Sequence, residues 1–179
     1  MSKAVLISIR PEWVELILSG KKTAEVRKTY PKAPDLPYPF KCYIYRTKMP
    51  DKMIDIIKDG NVLDWYLQEG EEPTIYHGKP TFIKVPGEKG AVVAEFTCDC
   101  VESLWRWGWS TDPWETVIGQ PMKGCTCMEL KQIEDYANGD GVFSWHITDL
   151  KRYDKPLALS AFGLKRPPQS WGYVEELQE

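Results

Sequence analysis

The stretch AVLISIRPEWVELILSGKKTAEVRK, residues 4–28, decides how the chain is read. Ala4 to Ile9 is a short run of mostly β-favouring apolar residues, as expected for a buried strand. Pro11 suits the first position of a helix, where its missing N–H costs nothing. Glu12 and Glu15 favour the positive end of the helix dipole. Trp13, Val14, Ile17 and Leu18 then make one apolar face, and Gly20 supplies a left-handed stop. From Thr23 to Lys28 the pattern turns to strict alternation, with Ala24 and Val26 inward and Thr23, Glu25 and Arg27 on the opposite face. The spacing predicts strand, helix, glycine turn, strand.

Further strands are predicted at 41–46, 91–98, 142–147 and 170–174, the last lying beside the first. A Pro-rich loop covers 31–39. The spacing from Met53 to Leu67 allows a short helix broken at Asp59-Gly60, and residues 47–89 read as an insertion or long excursion. Asp112-Pro-Trp-Glu115 has the form of a capping box opening a short helix. Thr126 and Glu129 form a second, opening a helix that runs through Tyr136 and stops at Asn138-Gly139. Strands interrupted by short helices, without a βαβ rhythm, predict an α+β fold, a mixed and mainly antiparallel β-barrel flanked by short helices. The 179 residues suit one domain, 1–179, with a sizeable core.

Charge narrows the function. The chain carries a net charge of −3, so a whole-surface grip on nucleic acid is not expected. The N-terminal end differs. Residues 1–32 hold seven cations (Lys3, Arg10, Lys21, Lys22, Arg27, Lys28, Lys32) against three anions (Glu12, Glu15, Glu25). The apolar run Ala4 to Ile9 is too short for a signal-peptide core, and no stretch approaches the roughly 20 apolar residues that span a membrane. Five cysteines is an odd number. The expectation is a cytoplasmic protein with free thiols.

Glu25 and Arg27 are two residues apart on one strand face, and Lys22 sits at the strand's mouth. Arg offers a planar fork for phosphate or a base edge. Glu can accept from an exocyclic amine, as when cytosine N4 is read, and Lys adds a point charge. From spacing alone, a solvated ladder of ion pairs is the more ordinary reading.

The octet GKKTAEVR, residues 20–27, matches G-x-K-x-x-E-x-R, and the chain thereby resembles the ASCH family. The order strand, Pro-initiated helix, glycine and strand is also that family's. The tail KRPPQSWGYV, residues 165–174, is similar to tails of phage-type and Gram-positive bacterial members. The resemblance covers most of the chain outside 47–89. It implies a PUA-like fold with a cleft that binds RNA or a modified nucleobase, through Arg10, Lys22, Thr23, Glu25 and Arg27. It also admits a metal-independent hydrolase, either a ribonuclease or the N4-acetylcytidine amidohydrolase of a small branch. Lys22 and Thr23 match that branch, whereas Glu25 stands where its motif has threonine. In such an enzyme Glu25 would act as general base for a water and Lys22 would stabilise the developing charge.

Trp105, Trp107, Trp109 and Trp114 crowd one segment around Arg106. Such rings stack bases, though core and loop packing is their commoner use. Cys98-x-Cys100 and Cys125-x-Cys127 are enough thiols for zinc, but one intervening residue is short for a structural site, so no metal and no cofactor is expected. His146, between Trp145 and Ile147, is expected to be packed and hydrogen-bonded.

Overall fold

A computed structural model describes residues 2–32, 36, 38–48, 52–56, 81–85, 89–107 and 116–177, with 52–56, 81–85, 105–107 and 116–118 described by their backbone alone. The chain divides into two compact units, residues 1–47 with 91–179, and residues 48–90. In the smaller unit β4 (Lys52–Ile56) pairs antiparallel with β5 (Thr81–Val85). The helix that the spacing allowed from Met53 is therefore a strand as far as Ile56; residues 57–67 lie outside the described residues.

In the larger unit, β1 (Lys3–Ile9) leads into α1 (Pro11–Leu18), with Arg10 as N-cap and Pro11 at the first helical position. Gly20 follows with φ +75°, the left-handed stop its position required. Next come β2 (Ala24–Arg27), β3 (Phe40–Arg46) and β6 (Ala91–Cys98). The short strands β7 (Val101–Ser103), β8 (Trp105–Trp107) and β9 (Thr116–Ile118) precede α2 (Leu130–Ala137). Strands β10 (Phe143–His146), β11 (Thr148–Leu157) and β12 (Trp171–Glu175) complete the unit.

A five-stranded sheet runs in the order β11-β6-β3-β1-β12, and a three-stranded sheet in the order β2-β10-β7. Only β1 and β3 are parallel within them; every other pair is antiparallel. The predicted mixture of directions is present, but the barrel is not closed. The large sheet ends at β11 on one side and β12 on the other. Two register breaks interrupt β11, and it exposes Lys151, Arg152, Asp154 and Lys155. Charge and bulges are what blunt a sheet edge against further pairing. The chain instead passes from the small sheet to the large one at Ile147, whose N–H donates to Thr23 O at 2.9 Å.

One core packs Val5, Ile7 and Ile9 of β1 with Val14 and Ile17 of α1, Ile44 of β3, Phe96 of β6 and Trp145 of β10. A second packs Ala4, Leu6, Tyr43 and Val174, with Leu159 and Phe162 of a 3-10 turn against them. β1 is thus apolar on both faces, which is why its sequence is a run and not an alternation.

Two helix starts differ from prediction. α2 is capped by Glu129, whose side chain and that of Gln132 form the reciprocal box; Thr126 lies a turn earlier and caps nothing. Its Oγ1 donates to Gln120 Oε1 at 2.9 Å instead. The predicted stop holds, with Asn138 left-handed at φ 51°. The helix expected from Asp112 falls on 112–115, outside the described residues, and 116–118 is strand.

Candidate functional site

β2 is an edge of the small sheet, with Glu25 opposite Trp145 and Arg27 opposite Phe143 on β10. Alternation turns Val26 into a core with Leu104, Ile133, Ala137 and Val142. The other face is not a solvated one. The side chains of Lys22, Glu25 and Arg27 are only 1%, 4% and 12% exposed, so the surface ion-pair ladder is ruled out.

The three groups form a linear charge relay. Arg27 Nη1 meets Glu25 Oε1 at 2.7 Å, and Lys22 Nζ lies 3.2 Å from Glu25 Oε2. Each cation is also held from behind. Lys22 Nζ donates to Thr126 O at 2.6 Å and sits 5.0 Å over the Trp13 ring. Arg27 Nη2 donates to Ser8 O at 2.6 Å, tying the small sheet to the end of β1, and Nη1 reaches Val26 O at 3.2 Å. Two atoms are left over. Glu25 Oε2, out of line with Lys22 for a hydrogen bond, and Arg27 Nε are buried without hydrogen-bond partners among the described residues. The Lys22 charge compensates the first, whereas a buried donor such as Arg27 Nε costs about 1–3 kcal/mol unless something pairs with it.

This relay floors a cleft of about 710 Å³. Arg10, Lys22, Arg27 and Lys28 line it against the single carboxylate of Glu25, with Trp13 and Tyr136 as ring surfaces. Arg10 is exposed at the start of α1, and Lys28 Nζ lies 5.7 Å over Tyr136. Thr23 stands apart from the cleft. Its Oγ1 accepts from Cys125 N at 2.8 Å, and its N–H donates to Cys125 O at 2.9 Å, so it anchors the loop that supplies Thr126. The sequence brought out the charged trio but not Trp13, Tyr136 or the Thr126 carbonyl. Trp13 stands on the apolar face of α1 and is indistinguishable there from a core residue; a main-chain acceptor leaves no sequence signal at all.

His146 is packed and hydrogen-bonded, as expected, and its Nδ1 is 2.6 Å from Asp99 Oδ1. Burial pushes the Asp99 carboxyl up, but the His146 hydrogen bond, its charge and that of Lys123 outweigh it and hold the group below its ordinary value. A carboxyl lowered on folding stabilises the fold above its unfolded value, about 3.9, and that contribution is lost as pH falls through the folded value. Asp99→Asn should therefore flatten the fall in stability below about pH 4, measured by urea unfolding across the acid range. An unchanged acid limb would remove the pair from the pH dependence.

Among the described residues no three His, Cys, Asp or Glu side chains group as metal ligands. Trp105, Arg106 and Trp107 lie on β8, described by backbone alone, and Trp109 and Trp114 lie outside the described residues. No helix among the described residues is long and apolar enough to cross a membrane.

Comparison with known proteins agrees with this architecture. Residues 7–56, from the end of β1 through β4 and including the Lys22–Arg27 motif, match the family model of the ASCH domain. The chain is similar to the ASCH domain over that stretch. Its fold is similar to the crystal structure of ASCH from Zymomonas mobilis, with a TM-score of 0.54 and 17% identity over 98% of this chain and 90% of that one. Two single-residue variants of the Zymomonas protein give TM-scores of 0.52 at 17% and 18% identity, covering 97% and 98% of this chain and 91% and 90% of theirs. At that identity the likeness concerns the fold. No match was found among curated proteins.

Proposed function

We propose that the cleft over Lys22, Glu25 and Arg27 binds RNA or a modified nucleobase. The observation that carries this reading is the composition of the cleft: four cations and one carboxylate around two aromatic faces, in a chain of net charge −3. Positive charge is concentrated where a polyanion would lie. Trp13 and Tyr136 offer surfaces on which an unpaired base can stack. Glu25 Oε2, ion-paired with Lys22 at 3.2 Å but accepting no aligned hydrogen bond, can take a further donor, and Arg27 Nε is a donor in want of an acceptor. A base edge carries both kinds of group. The ASCH domain, PUA-like and thought to bind RNA, supports the same reading.

Titration of short single-stranded RNA by fluorescence anisotropy, at several salt concentrations, tests the proposal. Arg10→Ala and Lys28→Ala should each weaken binding and lower the salt slope by about 0.7 for each phosphate no longer neutralised. If both variants and Arg27→Ala bind as the parent does at matched salt, the cleft is not the surface used. Incubation with N4-acetylcytidine and with the same RNA decides between binding and hydrolysis. Turnover that Glu25→Gln abolishes would make Glu25 the base and place the protein among hydrolases.

A further inference from the structure

The loop that holds Lys22 carries two thiols in contact. Cys125 Sγ and Cys127 Sγ are 3.8 Å apart, with Cys125 exposed and Cys127 partly so. Cys42 and Cys98, by contrast, are buried. Between the two contacting thiols lies Thr126, only 1% exposed, whose carbonyl takes the Lys22 ammonium at 2.6 Å. The two ends of this triplet are held differently. Cys125 is fixed by its main chain to the start of β2, its N–H donating to Thr23 Oγ1 at 2.8 Å and its carbonyl accepting from Thr23 N and Ala24 N at 2.9 and 3.0 Å. Cys127 is held by one thiol hydrogen bond to Lys21 O at 3.3 Å, and its backbone is left-handed at φ 54°, a conformation that costs a non-glycine residue.

We infer that Cys125 and Cys127 form a reversible dithiol–disulfide switch that governs the Lys22 cleft. The inference rests on the reading that this cleft binds RNA or a nucleobase. The oxidant is hydrogen peroxide. The Cys125 thiolate, the more exposed of the two, attacks the O–O bond, giving a sulfenic acid and releasing water. The Cys127 thiolate then attacks that sulfur, a second water leaves, and the S–S bond forms. Two thiols lose two protons and two electrons, and the peroxide takes them up. A thiol such as glutathione reverses the step by exchange.

Closing the bridge brings the sulfurs from 3.8 Å to about 2.05 Å. Cys125 is tied to β2, so the movement falls on Cys127, which leaves Lys21 O. The Thr126 peptide lies between the two and turns with it, withdrawing the carbonyl from Lys22. The ammonium then loses its shortest hydrogen bond, and the charge relay on the cleft floor loses one of its supports. The oxidised form binds its ligand more weakly.

Peroxide-treated and reduced protein are compared by three measurements. Trypsin cuts after Lys123 and Lys131, and the peptide 124–131 holds both thiols and no other cysteine. Mass spectrometry of that peptide should show loss of two hydrogens on oxidation and their return with dithiothreitol. Acylation of Lys22 by acetic anhydride should be slow in the reduced form and about fivefold faster in the oxidised one, the scale of one broken hydrogen bond. RNA affinity should fall by about the same factor and recover on reduction. Cys125→Ser and Cys127→Ser should bind like the reduced parent and ignore peroxide. The switch is overturned if the disulfide does not form, or if it forms while Lys22 acylation and affinity stay unchanged. Should the reduced protein bind no RNA, the proposed function fails, and the peptide mass and Lys22 acylation still decide the switch.

Discussion

Glu25→Ala should cost the fold about 3–5 kcal/mol, the range for removing one partner of a buried ion pair. Lys22 and Arg27 both lean on this carboxylate, and their side chains are 1% and 12% exposed. Without it, two largely buried cations face one another. Thr126 O and Ser8 O still accept from them, but neither carries a formal charge. Equilibrium urea unfolding reads the loss as a lower midpoint at unchanged slope. Glu25→Gln keeps the shape and an acceptor for Arg27 while removing the charge, and should fall between parent and alanine variant. A loss below about 1 kcal/mol for Glu25→Ala would give the pair no more weight than a surface salt bridge.

The second large effect is expected at Gly124, where an added methyl has nowhere to go. A Cβ there would lie 2.7 Å from Thr23 O and 3.1 Å from both Ala24 Cβ and His146 Cδ2. The nearest atom is a backbone carbonyl already engaged by Ile147 N at 2.9 Å, so it cannot step aside without pulling the corner between the sheets. Gly124→Ala should cost about 1–3 kcal/mol for the overlap and about 1–2 kcal/mol more for the left-handed backbone. Gly20→Ala is the matched control. Its φ is +75° against +76° at Gly124, but nothing lies within 4 Å of the added carbon. Thermal unfolding of the two variants separates steric overlap from conformation; equal losses would show that the overlap costs nothing.

The start of the chain was legible because each local signal agreed with the next. Pro11, the apolar stripe of α1, Gly20 and the alternation from Ala24 all point to one arrangement, and it is the one observed. The pairing of β12 with β1 also followed from pattern. β11 was missed because its residues are mostly exposed and charged, and two register breaks destroy any period of two. The Thr126 box misled because Glu129 also fits a capping position, and only Gln132 reaching back to the Glu129 N–H decides between them. At the site, spacing put Glu25 and Arg27 on one face. It could not tell a wet face from a buried one, since burial there comes from Ser8, Trp13 and the Thr126 loop, all distant in sequence or carried by main-chain atoms.

The position of β12 bears on how the protein is made. β1 lies inside the large sheet, yet one of its two neighbours is Trp171–Glu175. A ribosome adds about 5–20 residues per second, so β1 waits on the order of ten seconds or longer after it emerges before that neighbour exists. For that time the nascent chain carries an unpaired, largely apolar strand edge, the kind of surface on which chains associate wrongly. Synthesis thus contains an interval in which a holding chaperone has a defined target, and stop codons falling before Trp171 would leave that interval permanent.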